Sequence, residues 1–211
     1  MSQRRIILAS GSPRRKELLT HMGVDFEVIP SDFDERLDDS RTPEAVAKEL
    51  GLGKALTVAK KYPDAIVIGS DSIVTIDGKQ LGKPADIEEA RDILKMLAGK
   101  CNVVSCSLAV ICLAEQFQEV DVENADVYFK PYDELAAEAY LRTGDWADKA
   151  GGYGVQNGAD VFIEYIDGSY DTVLGLPTAK LAKILQQFDY QARPAKPVPP
   201  SGLRFKQVQI V

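Results

Sequence analysis

Three kinds of residue in this 211-residue chain break the pattern around them. The first is a group of cations. Ser12 suits a helix N-cap and Pro13 the first helical position, yet Arg14, Arg15 and Lys16 crowd the first turn. That end of a helix is electropositive, so three cations there repel the dipole and one another. The arrangement suits a small anion arriving from outside. The second is Asp71, which interrupts the apolar run AIVIGSDSIVTI. An isolated carboxylate is costly to bury without a partner. Two readings stay open on this residue alone. It caps a neighbouring loop or pairs with one arginine, or it holds a metal or acts as a base. The third is Lys54, on the helical line of Val46, Leu50 and Val58. A lysine there either snorkels out to water or points its ammonium into a cleft.

Fainter signals surround these. Gly51 and Gly53 flank Lys54, weakening the helix while letting something approach. Lys83 reads by default as a surface lysine, and Glu35 in SDFDER as a solvated loop charge. The loop DKAGGYGVQ, 148–156, either lets backbone approach a ligand or is a flexible connection. His21 stands near a helix C-terminus, just before the C-cap candidate Gly23, an ordinary stabilising place. With one histidine and the widely spaced Cys101, Cys106 and Cys112, neither a zinc site nor a disulfide framework is expected. Cys106 and Cys112 read as buried small hydrophobes.

The elements that must position these residues follow from pattern. RRIILAS reads as a strand, 13–22 as a helix and DFEVIP as a strand. A helix opens at Thr42-Pro43 and runs through AVAKELGLGKALTVAKKY. Residues 65–76 read as a buried strand interrupted by the polar Ser70-Asp71-Ser72, with a hairpin turn at Asp77-Gly78. Asp86 and Glu89 form a capping arrangement before a helix at 87–98. Residues 102–113 and 117–129 read as a long hairpin turning at Ala114-Glu115. A helix is expected from Pro131 to Gly144, then strands near 160–166 and 170–174 joined at Asp167-Gly168, then a helix from Pro177 to about Phe188. Helices between strands, with long hairpin strands in the middle, indicate α/β with a mixed sheet. From Gln191 the chain becomes proline-rich and basic. This tail reads as an extended or partly ordered segment, its P-x-x-P spacing also suiting a proline-reading domain, and its end FKQVQIV alternates as an edge strand would.

A formal net charge of −7 argues against a general nucleic-acid binder. No apolar run of membrane-spanning length and no signal peptide is read, so a cytoplasmic protein without membrane contact is expected. The oligomeric state is open, a homodimer included.

Five segments in order resemble the Maf family of nucleoside triphosphate pyrophosphatases: LASGSPRRKELL at 8–19, GSDSIV at 69–74, LGKP at 81–84, DKAGGYGVQ at 148–156 and GSYDTVLGLP at 168–177. The resemblance spans about residues 5–189, giving a Maf-like domain at 1–189 and a tail at 190–211. It implies an elongated mixed α/β fold with two lobes around a central cleft, similar to the inosine triphosphate pyrophosphatase architecture. It also implies hydrolysis of a nucleoside triphosphate to the monophosphate and pyrophosphate with Mg or Mn. Ser70-Asp71-Ser72 is similar to the subgroup acting on dTTP and UTP, which usually carries threonine at the place of Ser72.

Site roles follow from the same resemblance. Asp71 is the base that orients water, and Glu35 helps it hold the metal. Lys54 and Lys83 neutralise phosphate charge, while Ser10, Arg14 and Arg15 cradle the triphosphate. Ser72 and Gln156 read the base, Arg14 also affects selectivity, and Lys149 is a further substrate contact. Two alternatives accompany this reading: a nucleotide-binding regulator of cell division and septum formation, and a pyrophosphatase for a modified nucleotide.

Overall fold

The computed structural model describes residues 4–156 and 158–206. In chain order these form β1 (Ile6–Leu8), α1 (Pro13–His21), β2 (Glu27–Val28), α2 (Pro43–Ala59), β3 (Ile66–Gly69), β4 (Ser72–Ile76), β5 (Lys79–Leu81), α3 (Ile87–Leu97), β6 (Cys101–Cys112), β7 (Phe117–Phe129), α4 (Glu134–Leu141), β8 (Ile163–Asp167), α5 (Tyr170–Leu174), α6 (Thr178–Gln186) and β9 (Arg204–Phe205). The fold is α/β with one mixed sheet. Its strands lie in the order β2-β1-β3-β6-β7-β8-β9, and β4 joins through β6. β1 pairs in parallel with β2 and β3, and β8 with β9; the other pairings are antiparallel. Among the described residues no helix is long and apolar enough to cross a membrane.

The two-residue period of strands sorts the core. Ile6, Leu8, Ile66 and Ile68 face the larger cluster, which takes in Leu18 and Leu19 of α1 and the apolar face of α6. Ile7, Val67, Ala109 and Ile111 face the other side, against Ala55 and Val58 of α2. Local signals place several elements where the sequence puts them. Asp77 and Gly78 both take positive φ at the β4–β5 turn, as a two-residue hairpin loop requires. The Asp86 side chain accepts from the Glu89 N–H at 2.9 Å and caps α3. β6 and β7 pair along their whole lengths. Cys106 and Cys112 are buried within β6, and His21 ends α1.

The structure corrects four readings. DFEVIP contributes only Glu27 and Val28, both exposed at the sheet edge. The run 65–76 is two strands that share β6 as partner and part at Ser70-Asp71. There the Asp71 N–H bonds the Ser107 hydroxyl at 3.0 Å instead of a ladder carbonyl. The fourth helix begins at Glu134, not Pro131, because the Asp133 carboxylate caps it. Residues 170–174 form a helix, α5, not a strand. Gly175 closes it in the left-handed region at φ 109°, and the Asp171 carboxylate accepts from the Thr172 N–H at its start. Beyond α6 the chain lies against the body. Ala192, Ala195 and Leu203 are buried, and Phe205 pairs beside Ile166 of β8. The rest of the edge strand expected in FKQVQIV, residues 207–211, falls outside the described residues.

One close approach sets the geometry that follows. A Cβ on Gly69 would strike the Gly51 carbonyl and stand 2.8 Å from the Ala55 nitrogen. A Cβ on Gly51 would strike the Ser107 hydroxyl, and one on Gly53 the Phe33 ring. The glycines beside Lys54 are therefore approached by protein, and α2 sits directly on β3. Gly69→Ala should lower the unfolding free energy in urea by about 1–3 kcal/mol, the range for overpacking. Gly202→Ala, where nothing lies within 4 Å, should change it by less than about 0.5 kcal/mol. Equal effects would contradict this packing.

Candidate active site

Nine of the ten candidate side chains line a single cavity of about 470 Å³. Ser10 follows β1, and Arg14 and Arg15 stand on the first turn of α1. Glu35 comes from the β2–α2 connection, Lys54 from α2, Asp71 and Ser72 from the break between β3 and β4, and Lys83 from the loop after β5. Lys149 enters from the glycine-rich loop. Gln156 is the exception: it is half-buried, and Gly154 and Val155 form that part of the wall.

At the centre is an ion pair between Lys54 and Asp71, whose side chains are 8% and 11% exposed. The partner of Asp71 is thus a lysine, not an arginine, and Lys54 points into the cleft. The same ammonium bonds Glu35 at 2.8 Å, so two carboxylates converge on one cation. Lys83, mostly exposed, reaches the other oxygen of Glu35 at 3.7 Å. Glu35 is not a plain solvated charge. Burial alone would raise its pKa, but the Lys54 hydrogen bond, with the charges of Lys54, Lys83 and Arg15, holds it below the usual carboxylate value.

The cationic side is built around α1. Ser12 stands at the N-cap position but its side chain makes no capping bond. First-turn N–H groups have no partner within a helix, so the end stays open toward the cavity. Arg15 is held by three acceptors: the Gly175 carbonyl at 2.8 Å, the Ser10 hydroxyl at 3.1 Å and the Ser72 hydroxyl at 3.3 Å. Burial lowers the Arg14 pKa; Asp148 opposes that shift and Arg15 adds to it. Ser72 also lies 3.5 Å from the buried Cys106 sulfur. Burial pushes that thiol up, so it stays neutral.

The glycine-rich loop packs closely against its neighbours. Gly151 packs on Val74, Gly152 on Pro84, and Gly154 on the Lys149 stem. The Lys149 ammonium is buried and bonds the Asp145 carbonyl and, at 2.6 Å, the Asp148 carboxylate. It supports the wall from within. Sequence reasoning does not single out Asp148, Tyr153 or Gly175. Asp148 and Tyr153 lie in a quoted motif beside a candidate, which was the available signal. Gly175 also lies in a quoted motif, but its role depends on a carbonyl that no side-chain pattern announces.

Five cations and three carboxylates line the cavity of a chain with formal net charge −7. A polyanion is the complementary guest.

A profile of the family described as Maf-like protein matches residues 5–188. The chain belongs to the Maf-like family. It is 42% identical over 180 residues to a dTTP/UTP pyrophosphatase of Desulfotalea psychrophila, covering 85% of this chain and 92% of the relative. A dTTP/UTP pyrophosphatase of Bacillus cereus is 41% identical over 186 residues, 88% of this chain and 96% of the relative. One from Pelotomaculum thermopropionicum is 41% identical over 185 residues, 88% and 97%. Both the match and these alignments leave part of the chain beyond them.

The Glu35 shift has a pH signature. A carboxylate with a depressed folded-state pKa adds stability above its unfolded value and loses it as pH falls through the folded value. The stability gap between the unmodified protein and Glu35→Gln should therefore be constant above the ordinary glutamate value of 4.5 and close below it. Urea titrations across that range check this; a gap that widens on acidification would contradict it.

Proposed function

We propose that this protein hydrolyses nucleoside triphosphates, dTTP and UTP first, to the monophosphate and pyrophosphate, and so removes them from the nucleotide pool. One observation carries the reading: an uncapped, arginine-flanked helix N-terminus opens into the same cavity as a buried Asp71–Lys54 pair. The names of the relatives support the substrate class. The finer architecture that suits this reading is two lobes around a cleft, as in inosine triphosphate pyrophosphatases.

Each group then has a task. The α1 N–H groups, Ser10 and Arg14 hold phosphate oxygens, and Arg15 offers a guanidinium already oriented by its three acceptors. Lys83 is exposed enough to close on the triphosphate from the mouth. Lys54 places a fixed positive charge beside the reacting phosphate, where charge accumulates. Asp71 orients a water molecule and takes its proton. Proton removal by a positioned base is worth about 10²–10⁴-fold.

Glu35 and Asp71 also fit a divalent cation. Their oxygens converge on one point, now held by Lys54, and two carboxylates with substrate phosphates are a usual Mg or Mn set. Among the described residues no group of three His, Cys, Asp or Glu side chains forms a metal cage, so substrate and water would complete the shell. Bound there, the metal would neutralise charge on the phosphates.

Base selection rests on Ser72 and the wall at Gly154–Val155. Ser72 is small and leaves room for a pyrimidine. A fixed backbone group can distinguish the O4 and N3–H edge of thymine or uracil from cytosine, since a wrong partner leaves buried groups unpaired. Gln156 follows directly on that wall and is the nearest side-chain amide in sequence to help.

Incubation with dTTP or UTP should yield the monophosphate and pyrophosphate; the diphosphate and orthophosphate would show that the bond is misassigned. Asp71→Asn should remain folded, because Glu35 still meets Lys54, and should lose about 10²–10⁴-fold in kcat. An active Asp71→Asn protein would rule out its role as base. Steady-state kcat/KM should favour dTTP and UTP over CTP, with purine triphosphates poor, and Ser72→Gln should weaken pyrimidine use. Equal values for dTTP, CTP and GTP in the unmodified protein would contradict the base-reading scheme.

A further inference from the structure

We infer that Asp171, which does not line the cavity, is a positioning residue that sets the Arg15 guanidinium through the Gly175 carbonyl, and that the C-terminal segment closes the same knot. The inference rests on the nucleotide reading only for its choice of substrate.

Asp171 is buried, and among the described residues its carboxylate forms no ion pair. It is satisfied instead by donors of its own turn. One oxygen accepts from the Thr172 N–H at 3.0 Å and from the Ser169 hydroxyl. The other accepts from the Thr178 N–H at 2.9 Å and from the Thr178 hydroxyl. Its backbone carbonyl accepts from the Gly175 and Leu176 N–H groups, both at 3.0 Å. Every one of these bonds fixes the path of residues 169–178.

What that path presents is the Gly175 carbonyl. It accepts from the Arg15 Nε at 2.8 Å and from the Ser70 hydroxyl at 2.9 Å. Gly175 has φ 109°, and a Cβ there would lie 3.4 Å from both the Arg15 Nε and the Ser72 hydroxyl. The carbonyl therefore holds Arg15 at its Nε, leaving Ser10 and Ser72 to hold the forked end. If the turn relaxes, the guanidinium loses its orientation without losing its charge.

The tail reaches this knot. The Ala195 N–H donates to the Thr178 hydroxyl at 3.0 Å. Ala195 lies beyond the matched residues 5–188. Thr178 thus passes one hydrogen bond inward to Asp171 and receives one from the segment that packs over it.

The experiment compares the unmodified protein with Thr178→Val, Thr178→Ser, Arg15→Met and the Thr178→Val, Arg15→Met double variant. It measures kcat and KM for dTTP, the Kd of inorganic triphosphate by calorimetry, and folding by thermal denaturation. Thr178→Val should weaken KM and triphosphate binding about tenfold, the loss of roughly one charge-assisted hydrogen bond, with kcat nearly unchanged. Thr178→Ser, which keeps the hydroxyl, should restore both. In the Arg15→Met background, Thr178→Val should weaken neither further. Equal weakening in both backgrounds, or unchanged affinity in folded Thr178→Val, would overturn the inference. Should Thr178→Val fail to fold, Ser169→Ala removes a different donor from Asp171 and carries the same comparison. If no nucleotide is cleaved yet triphosphate binding follows this pattern, the nucleotide reading falls and the inference stands. If dTTP is cleaved and affinity ignores Thr178, the reverse holds. Neither cleavage nor triphosphate binding would overturn both.

Discussion

The buried ammonium of Lys54, shared by Asp71 and Glu35, is the interaction on which the rest of the site depends. A buried ion pair is weak evidence for stability, because desolvation offsets much of the attraction. Its placement here follows from backbone packing. Gly51 and Gly69 let α2 lie directly on β3, and the strand breaks at Ser70-Asp71 just where Lys54 arrives. Ser107 holds that break open by bonding the Asp71 N–H, with its own N–H bonding the Asp71 carbonyl at 2.8 Å. A carboxylate that faces a cavity at a strand break can meet a ligand, which one inside an unbroken ladder cannot.

Opposite this pair stands positive charge that Asp148 compensates only in part. The first turn of α1 carries cations where a helix prefers carboxylates, and its N-cap serine forms no cap. Arg15 stays oriented because uncharged acceptors hold it: a carbonyl and two hydroxyls. Among the described residues no carboxylate forms an ion pair with it, so its charge remains available to a guest. A polyanion entering the cavity relieves the repulsion that the helix carries without one. Electrostatics and fold thus conflict locally, as functional sites often do.

Much of this was legible because some anomalies are local. A lysine on an apolar helix line and an aspartate in an apolar strand both announce themselves by violating a period, and both prove to be buried. The Asp77-Gly78 turn, the Asp86 cap and the β6–β7 hairpin depend on neighbours in sequence, and they stand where pattern puts them. What depends on distant residues was not legible. The pairing of Asp71 with Lys54 needs the α2–β3 approach. α5 reads as a strand because Asp167-Gly168 suggests a hairpin turn just before Tyr170 to Leu174, whereas its conformation is set by Asp171 and Thr178. Gln156 shows the same limit, since a motif neighbour need not share the wall its neighbours form.

The central claim is that Lys54 and Asp71 act as one unit, and a double-mutant cycle in urea tests it most directly. The single variants are Lys54→Met and Asp71→Asn, compared with the protein carrying both. Groups in direct contact couple by about 0.5–3 kcal/mol, whereas independent sites add within about 0.3–0.5 kcal/mol. The account predicts a coupling of at least about 1 kcal/mol, with the double variant more stable than the sum of the single losses implies. Additivity within about 0.3 kcal/mol would contradict it.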